Sequence, residues 1–364
     1  MKKFCLAVSI LAASTSAAWA QSSVTIYGIL DGAVRYTTNA GGTAASKSAS
    51  LSQMVGGGMS QSRLGVNVTE DMGDGLKAIA NLEHRLQLDT GTASSGTDFW
   101  RQAWVGVQSN SFGRITLGRQ YNLLFDAATS TYASFKYSPY IEVFKPEIGM
   151  ALTARQNNMI KYLVESGGLR FEAQVSAGEN SADVGQGRSM GGLARYAVGN
   201  FAGAYVWLRS EDSAGKKVTA QTLGGSWTDG PLYVNVAWAQ NKFEAGYNAT
   251  ANATLLASVI TPIASRFAIA SPAASVRDLY SAGVTYQLTP QFNLGAQYWK
   301  GKQKGLVIGG NGVLDAMAVV ADYALSKRTD AYVEFDNLKT KGNLMLANGA
   351  YSRTGYMAGI RHRF

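Results

Sequence analysis

Cysteine is almost missing from this chain of 364 residues. Its one copy, Cys5, lies inside the first twenty. No disulfide can therefore hold the rest of the protein together, and no thiolate can serve as nucleophile or metal ligand. Histidine is nearly as scarce: His84 and His362 are the whole supply. General-base chemistry of the Ser–His or Cys–His kind thus has little to draw on. Proline numbers only 6, and no composition break, Pro-rich linker or block of like charge divides the chain. Charged residues make up 16%. Beyond the N-terminus no apolar run reaches the ~20 residues that a spanning helix requires. If this protein lives in a membrane, only a closed β-barrel remains as a spanning structure.

What is present begins with MKKFCLAVSILAASTSAAWA. Lys2 and Lys3, a short apolar run and Ala18-Trp19-Ala20 form a secretory signal, with cleavage predicted after Ala20. Cys5 precedes the apolar run, so lipoprotein processing is not expected. Removing residues 1–20 would leave 364 − 20 = 344 residues. That segment holds Lys2 and Lys3 and no acid, so the formal balance becomes 31 − 24 = +7. The basic balance comes without Lys/Arg clusters, so no nucleic-acid partner is expected.

From residue 23 onward, apolar and polar residues alternate with period 2. In SVTIYGILDGAVRY, Val24, Ile26, Leu30, Val34 and Tyr36 share one face, and Thr25, Tyr27, Asp31 and Arg35 the other. Sixteen such segments are predicted: 23–36, 62–71, 76–88, 100–107, 114–121, 158–165, 169–178, 191–199, 201–211, 218–228, 232–243, 278–289, 292–302, 313–325, 330–338 and 353–364. No helical period stands out. Tight Gly/Asn/Asp/Pro turns such as Met72-Gly73-Asp74-Gly75 and Asp229-Gly230-Pro231 alternate strictly with long connections. The long ones cover 38–60, 90–99, 122–157, 179–190, 212–217, 244–277, 303–312 and 339–352. Segments of ~10 residues with turns at one end and loops at the other are the pattern of an outer-membrane barrel. Aromatics from Tyr27 and Tyr36 through Trp299, Tyr332 and Phe364 are expected to form girdles at the two interfaces.

With these residues in place, the whole chain resembles the Gram-negative general porins of the β-proteobacterial, trimeric type. QSSVTIYGILDGAVRY resembles their opening strand, and SQSRLGVNVTEDMGDGLKAIANLE their second hairpin. FGRITLGRQYNLLFD is similar to the strand that leads into the pore loop. The final GYMAGIRHRF, with Tyr356 and Phe364, resembles the signal read by the outer-membrane assembly machinery. The resemblance implies an all-β, 16-stranded antiparallel transmembrane β-barrel at 21–364, with short periplasmic turns and long extracellular loops. It also implies a homotrimer in the outer-membrane bilayer, each subunit with a water-filled pore, and a third loop, 122–157, folded inward. Lys145-Pro146-Glu147-Ile148-Gly149 is similar to that loop's tip, Ile148 standing where relatives carry Phe.

Parity places Arg35, Arg63, Lys77 and Arg85 inside. It leaves Arg101 open, because Arg101 shares parity with Ala103 and Val105; the resemblance turns it inward. The resemblance also implies a basic residue at Arg155, with Lys161 following. The expected constriction is a basic wall of Arg35, Arg63, Arg101, Arg155 and Lys161, facing loop acids Asp126, Glu142 and Glu147. Arg119 is assigned to the loop root or a subunit contact. The expected function is passive diffusion of small hydrophilic solutes and ions, with a mild preference for anions. No cofactor, metal or catalytic residue is expected. The alternative is a substrate-specific pore for a sugar or other nutrient, for which Tyr132, Phe135, Tyr137 and Tyr140 would supply an aromatic run.

Overall fold

A computed structural model describes residues 22–41, 45–46, 48–92, 100–135, 150, 152, 154–178, 188–247, 274–305, 311–342 and 350–364. The predicted leader 1–20 lies outside them, as do most of 244–277 and the loop tip 136–149. The strands are β1 (Ser23–Thr37), β2 (Leu51–Val55), β3 (Arg63–Gly73), β4 (Leu76–Arg85), β5 (Trp100–Ser109) and β6 (Gly113–Tyr121). After a helix, α1 (Leu123–Ser130), come β7 (Arg155–Ser166), β8 (Leu169–Ser176), β9 (Ser189–Val198), β10 (Phe201–Glu211) and β11 (Lys217–Asp229). β12 (Leu232–Phe243), β13 (Ala274–Gln287), β14 (Phe292–Gly305), β15 (Gly312–Ala324), β16 (Thr329–Gly342) and β17 (Ser352–Arg363) complete the sheet.

Neighbours in sequence pair antiparallel from β3 to β17, and β17 then pairs with β1 from Ile29↔Arg363 to Thr37↔Gly355. The other edge of β1 is covered by β3 over Ser23–Ile29 and by β2 over Ala33–Thr37. β2 and β3 therefore share one position, and the barrel is a closed ring of sixteen antiparallel strands. Closure leaves no free sheet edge in the bilayer. At the seam, Phe364 N donates to Gly28 O and Gly28 N to Phe364 O, both at 3.1 Å. The Phe364 ring lies across Gly28, so that a Cβ there would collide with Phe364 Cζ.

The outward face is the apolar parity read from the sequence. Val24, Ile26, Val34, Leu64, Val105, Leu117, Ile160, Val236 and Val333 are all exposed. Exposure of aliphatic side chains around a whole barrel is what lipid contact requires. Outward Phe112, Tyr196, Phe201, Tyr286, Tyr323 and Phe364 lie near the tight turns; Tyr36, Trp100, Tyr205, Tyr280, Tyr298 and Tyr356 lie toward the loops. The predicted girdles lose some members to the inside: Tyr233, Trp299 and Tyr332 are buried, and the Tyr27 hydroxyl reaches inward to Glu83.

Three features depart from the period-2 reading. First, α1 is a helix where none was predicted. Asn122 caps it, its side chain accepting from Phe125 N at 3.0 Å, and Asp126 sits in the first turn. A carboxylate there complements the unsatisfied N–H groups of the helix start. Second, β2 interrupts the predicted loop 38–60. The seven residues after it, 56–62, oppose only Leu30–Gly32 and fold into the barrel. Ser60 N and Gly58 N donate to Asp31 at 2.6 and 3.2 Å, and Met59 N donates to the Tyr332 hydroxyl at 3.2 Å. Gly58 must be glycine, since a Cβ would run into Tyr332 Oη.

Third, the inward face is not uniformly polar. From β9 to β16 it carries Leu193, Val206, Leu208, Ala220, Leu279, Trp299, Leu314, Ala318, Val320 and Leu338, all buried. These pack against Leu123, Leu124, Phe125 and Tyr132, and against Phe135, Met150 and Met59. The segment after β6 thus lies flat on an apolar inner wall. Two hydroxyls pin it: Ser226 Oγ donates to Thr131 O, and Tyr233 Oη donates to Ala133 O at 2.8 Å.

Candidate functional site in the barrel lumen

Opposite that apolar wall, the inward face of β3–β7 is charged. Parity alone brings Arg63 and Glu83 inside. Arg101 arrives by another route. Glu83 opposes Gln102 while His84 opposes Trp100, so Arg101 is an extra residue in β5. This bulge turns Arg101 inward although Val105, of the same parity, faces lipid. A second irregularity, between Gly118/Gln120 and the start of β7, lies beside Arg155 and Tyr121. Arg119 there donates through Nε to Trp100 O at 2.9 Å and through Nη1 to Asn157 Oδ1, tying the root of the inward segment.

The three guanidinium groups gather around one carboxylate and one phenol. Arg101 Nε lies 3.2 Å from Glu83 Oε1, and Arg63 Nη1 lies 3.7 Å from Glu83 Oε2. Tyr27 Oη donates to Glu83 Oε2 at 3.1 Å and itself accepts from Asn81 Nδ2 at 3.0 Å. Arg101 Nη2 and Arg155 Nη2 each donate to Tyr121 Oη at 3.0 Å. The Arg155 guanidinium also lies over the Tyr121 ring, 4.6 Å from its centre. That ring stacks on Phe125 of α1, with centres 4.0 Å apart and planes 6° off parallel. The phenol thus joins the charged wall to the inward segment. Of the formal charges in this group, three arginines stand against one glutamate.

Lys161 forms a neighbouring site. Its ammonium donates to Asp126 Oδ2 at 2.6 Å and to Tyr121 O at 2.9 Å. Asp126 is therefore Lys161's partner and does not stand across the lumen from the arginines. Its place in the first turn of α1, lying on the wall, puts it beside β7. Arg35 also stands apart. It pairs with Asp336 at 2.6 Å, because β17 brings β16 alongside the upper half of β1. The basic wall read from the sequence is thus a cluster of Arg63, Arg101 and Arg155, with Lys161 and Arg35 in separate pairs. Glu142 and Glu147 lie outside the described residues.

The sequence reading left Glu83 and Tyr121 out of the site. Glu83 had a signal: an acid on lumen parity two residues before Arg85. Tyr121 had none, since it ends a strand at a point where alternation stops. Tyr132 and Phe135 are buried against the inner wall, so they form no aromatic track along the pore; Tyr137 and Tyr140 lie outside the described residues. Tyr356 is exposed outward on β17, beside Tyr36 and Phe335.

A closed barrel with an apolar outer face, charged side chains turned inward and a strap along the inner wall defines a membrane-spanning pore protein. Residues 7–343 match the family model described as Gram-negative porin. An outer membrane porin protein of Bordetella pertussis is 33% identical over 263 residues, 68% of this chain and 61% of that protein. The matched stretch thus spans less than two thirds of the Bordetella protein. "Outer membrane porin protein 32" of Delftia acidovorans is 29% identical over 397 aligned positions, covering 100% of both chains. The fold is similar to that of the anion-selective porin from Comamonas acidovorans, with TM-score 0.75, 24% identity, and coverage of 94% of this chain and 100% of that one. A trimer form of OmpT from Vibrio cholerae superposes with TM-score 0.67 at 15% identity, covering 94% and 99%. The chain belongs to the Gram-negative porin family and is a multi-pass β-barrel of the outer membrane.

Proposed function

We propose that this porin passes small hydrophilic solutes and ions by passive diffusion and favours anions at the level of its arginine cluster. The observation that carries this reading is the gathering of Arg63, Arg101 and Arg155 around the single carboxylate of Glu83. A fixed cation attracts an anion ~4 Å away by about 1 kcal/mol in bulk water and several-fold more at lower effective dielectric. Cations are repelled by the same amount. The two together, about 2 kcal/mol, correspond to roughly thirtyfold in a permeability ratio. Nothing in this scheme needs a nucleophile, metal or cofactor; selection is electrostatic and steric. The Comamonas relative of like fold is named as anion-selective, which agrees with this charge balance.

Assembly as a homotrimer and insertion through a machinery that reads Tyr356 and Phe364 belong to the same proposal, supported by family membership. Planar-bilayer recording tests the function. In a potassium chloride gradient the reversal potential should take the sign of chloride permeation, and each insertion should add three equal steps. A reversal potential of cationic sign would overturn the selectivity.

A further inference from the structure

Asp31 is the middle one of the three β1 residues, Leu30–Gly32, that pair with neither β2 nor β3. Its parity turns it inward, and it is fully buried. The cluster around Glu83 does not include it. Its carboxylate instead receives the inward turn 56–62. Oδ2 accepts from Ser60 N at 2.6 Å; Oδ1 accepts from Gly58 N at 3.2 Å and from the Tyr332 hydroxyl. That hydroxyl accepts in turn from Met59 N at 3.2 Å. The backbone of Asp31 holds the far end of the turn. Its N–H donates to Ser62 Oγ at 3.0 Å, and Ser62 Oγ donates to Asp31 O at 3.1 Å. Arg361 opposes Asp31 across β17 and is itself held by Asp330 at 3.0 and 3.2 Å. It donates through Nη1 to Ser60 Oγ at 2.8 Å. Gly58, Met59, Ser60 and Ser62 are thus all tied to the wall.

What this turn delivers is Arg63, the first residue of β3, whose ladder partner on β1 is Ile29. Arg63 Nε donates to Gln61 O at 2.9 Å, two residues back within the turn. Its contact with Glu83 is looser, 3.7 Å against 3.2 Å for Arg101. Arginine has a long, rotamer-rich side chain, and a fixed acceptor on the backbone decides where its charge stands. Arg101 and Arg155 have the Tyr121 hydroxyl for this purpose. For Arg63 the fixed acceptor is Gln61 O, and its place depends on the turn. A line of contacts therefore runs from Asp31 through Ser60 and Gln61 to Arg63. Position 31 calls for a carboxylate: three donors converge on its two oxygens. An amide has one acceptor oxygen and would turn its NH₂ toward a donor.

We propose that Asp31 is a positioning residue for ion selection: it fixes the inward turn so that Gln61 O holds Arg63 beside Glu83. The proposal rests on the arginine cluster setting the anion preference. The sign of the effect separates positioning from charge. Removing an inward carboxylate, by its charge alone, favours anions. Removing Asp31 should disfavour them, because Arg63 then leaves the cluster. The test compares reversal potentials in a potassium chloride gradient for wild type, D31N, Y332F, R63Q and the doubles D31N/R63Q and Y332F/R63Q. Each is first shown to be a folded barrel by its resistance to unfolding in detergent. R63Q should lower the anion-to-cation permeability ratio, by up to roughly thirtyfold. D31N should lower it by part of that factor, and so should Y332F, which changes no charge. In the R63Q background neither should lower it further. A D31N protein with a raised ratio overturns the proposal, as does a fall of equal size with and without Arg63. Unchanged potentials in both single variants also overturn it. If R63Q kept the wild-type potential, the selectivity reading beneath the proposal would fall, and the proposal with it.

Discussion

Glu83 is the carboxylate at the centre of the arginine cluster. It accepts from Tyr27 and lies within ion-pair reach of both Arg63 and Arg101. Replacing Glu83 with Gln keeps the shape and removes one negative charge. The anion-to-cation permeability ratio should rise, by up to roughly thirtyfold if one charge shifts each ion by about 1 kcal/mol in opposite directions. Reversal potentials of the variant and wild type in the same salt gradient check this; an unchanged potential would place the ion path away from Glu83. Tyr121 does a different job. Its hydroxyl accepts from two guanidinium groups while its ring stacks on Phe125. Tyr121→Phe keeps the stack and loses both acceptances. Hydrogen bonds to charged groups contribute ~1.5–3 kcal/mol each and are not additive. The expected cost is thus about 2 kcal/mol, read as a lower guanidinium midpoint at unchanged slope.

At the scale of elements, lipid makes the strands legible. Outward positions within the hydrocarbon band must be apolar, so alternation along 23–36, 201–211 or 232–243 marks β1, β10 and β12 to within a residue. The inward face obeys no single rule, and there the sequence says less. Val206 and Leu208 alternate with outward Tyr205 and Trp207, so β10 reads as apolar on both faces; only the folded strap explains why. Arg101 cannot be placed by parity, because the bulge that turns it belongs to the pairing of β4 with β5 and not to β5 alone. Arg35 looks like a member of the basic ladder until β17 closes the barrel and sets Asp336 beside it. The strap's hold on the apolar wall is itself testable. Val206 is fully buried against α1 and Tyr132. Val206→Asp places a carboxylate in that contact, where an unpaired charge costs several kcal/mol. The barrel's own hydrogen bonds are untouched, so the strap is what should yield. Single-channel conductance should then increase and fluctuate more, with the barrel still folded by its resistance to unfolding in detergent. A silent change would show that the strap is held by its root alone, at Asn122 and Arg119.

For the molecule as a whole, a basic composition conceals two populations of charge kept apart by the wall of the barrel. Arg63, Arg101 and Arg155 point inward and are buried at the root of the strap. Lys300, Lys302, Lys304, Lys339 and Lys341 face outward at the loop-side rim. Net charge alone cannot say which population sets selectivity; distance and screening can. Exposed charges act over about 10 Å at 0.1 M salt and about 3 Å at 1 M. An ion in the lumen passes on the arginines' own side of the sheet. The outward lysines reach it only across the sheet and through screened solvent at the mouth. Two outcomes follow. Raising the mean salt from about 0.1 M to about 1 M at a fixed gradient ratio should lower the anion preference only partly, since buried guanidinium groups are screened much less than exposed ones. A triple variant, K302Q/K339Q/K341Q, should leave the reversal potential unchanged at both concentrations, although it removes three cations. If that variant lost anion preference at low salt and matched wild type at high salt, long-range attraction at the mouth would be the selecting step. The arginine cluster would then be a structural anchor for the strap.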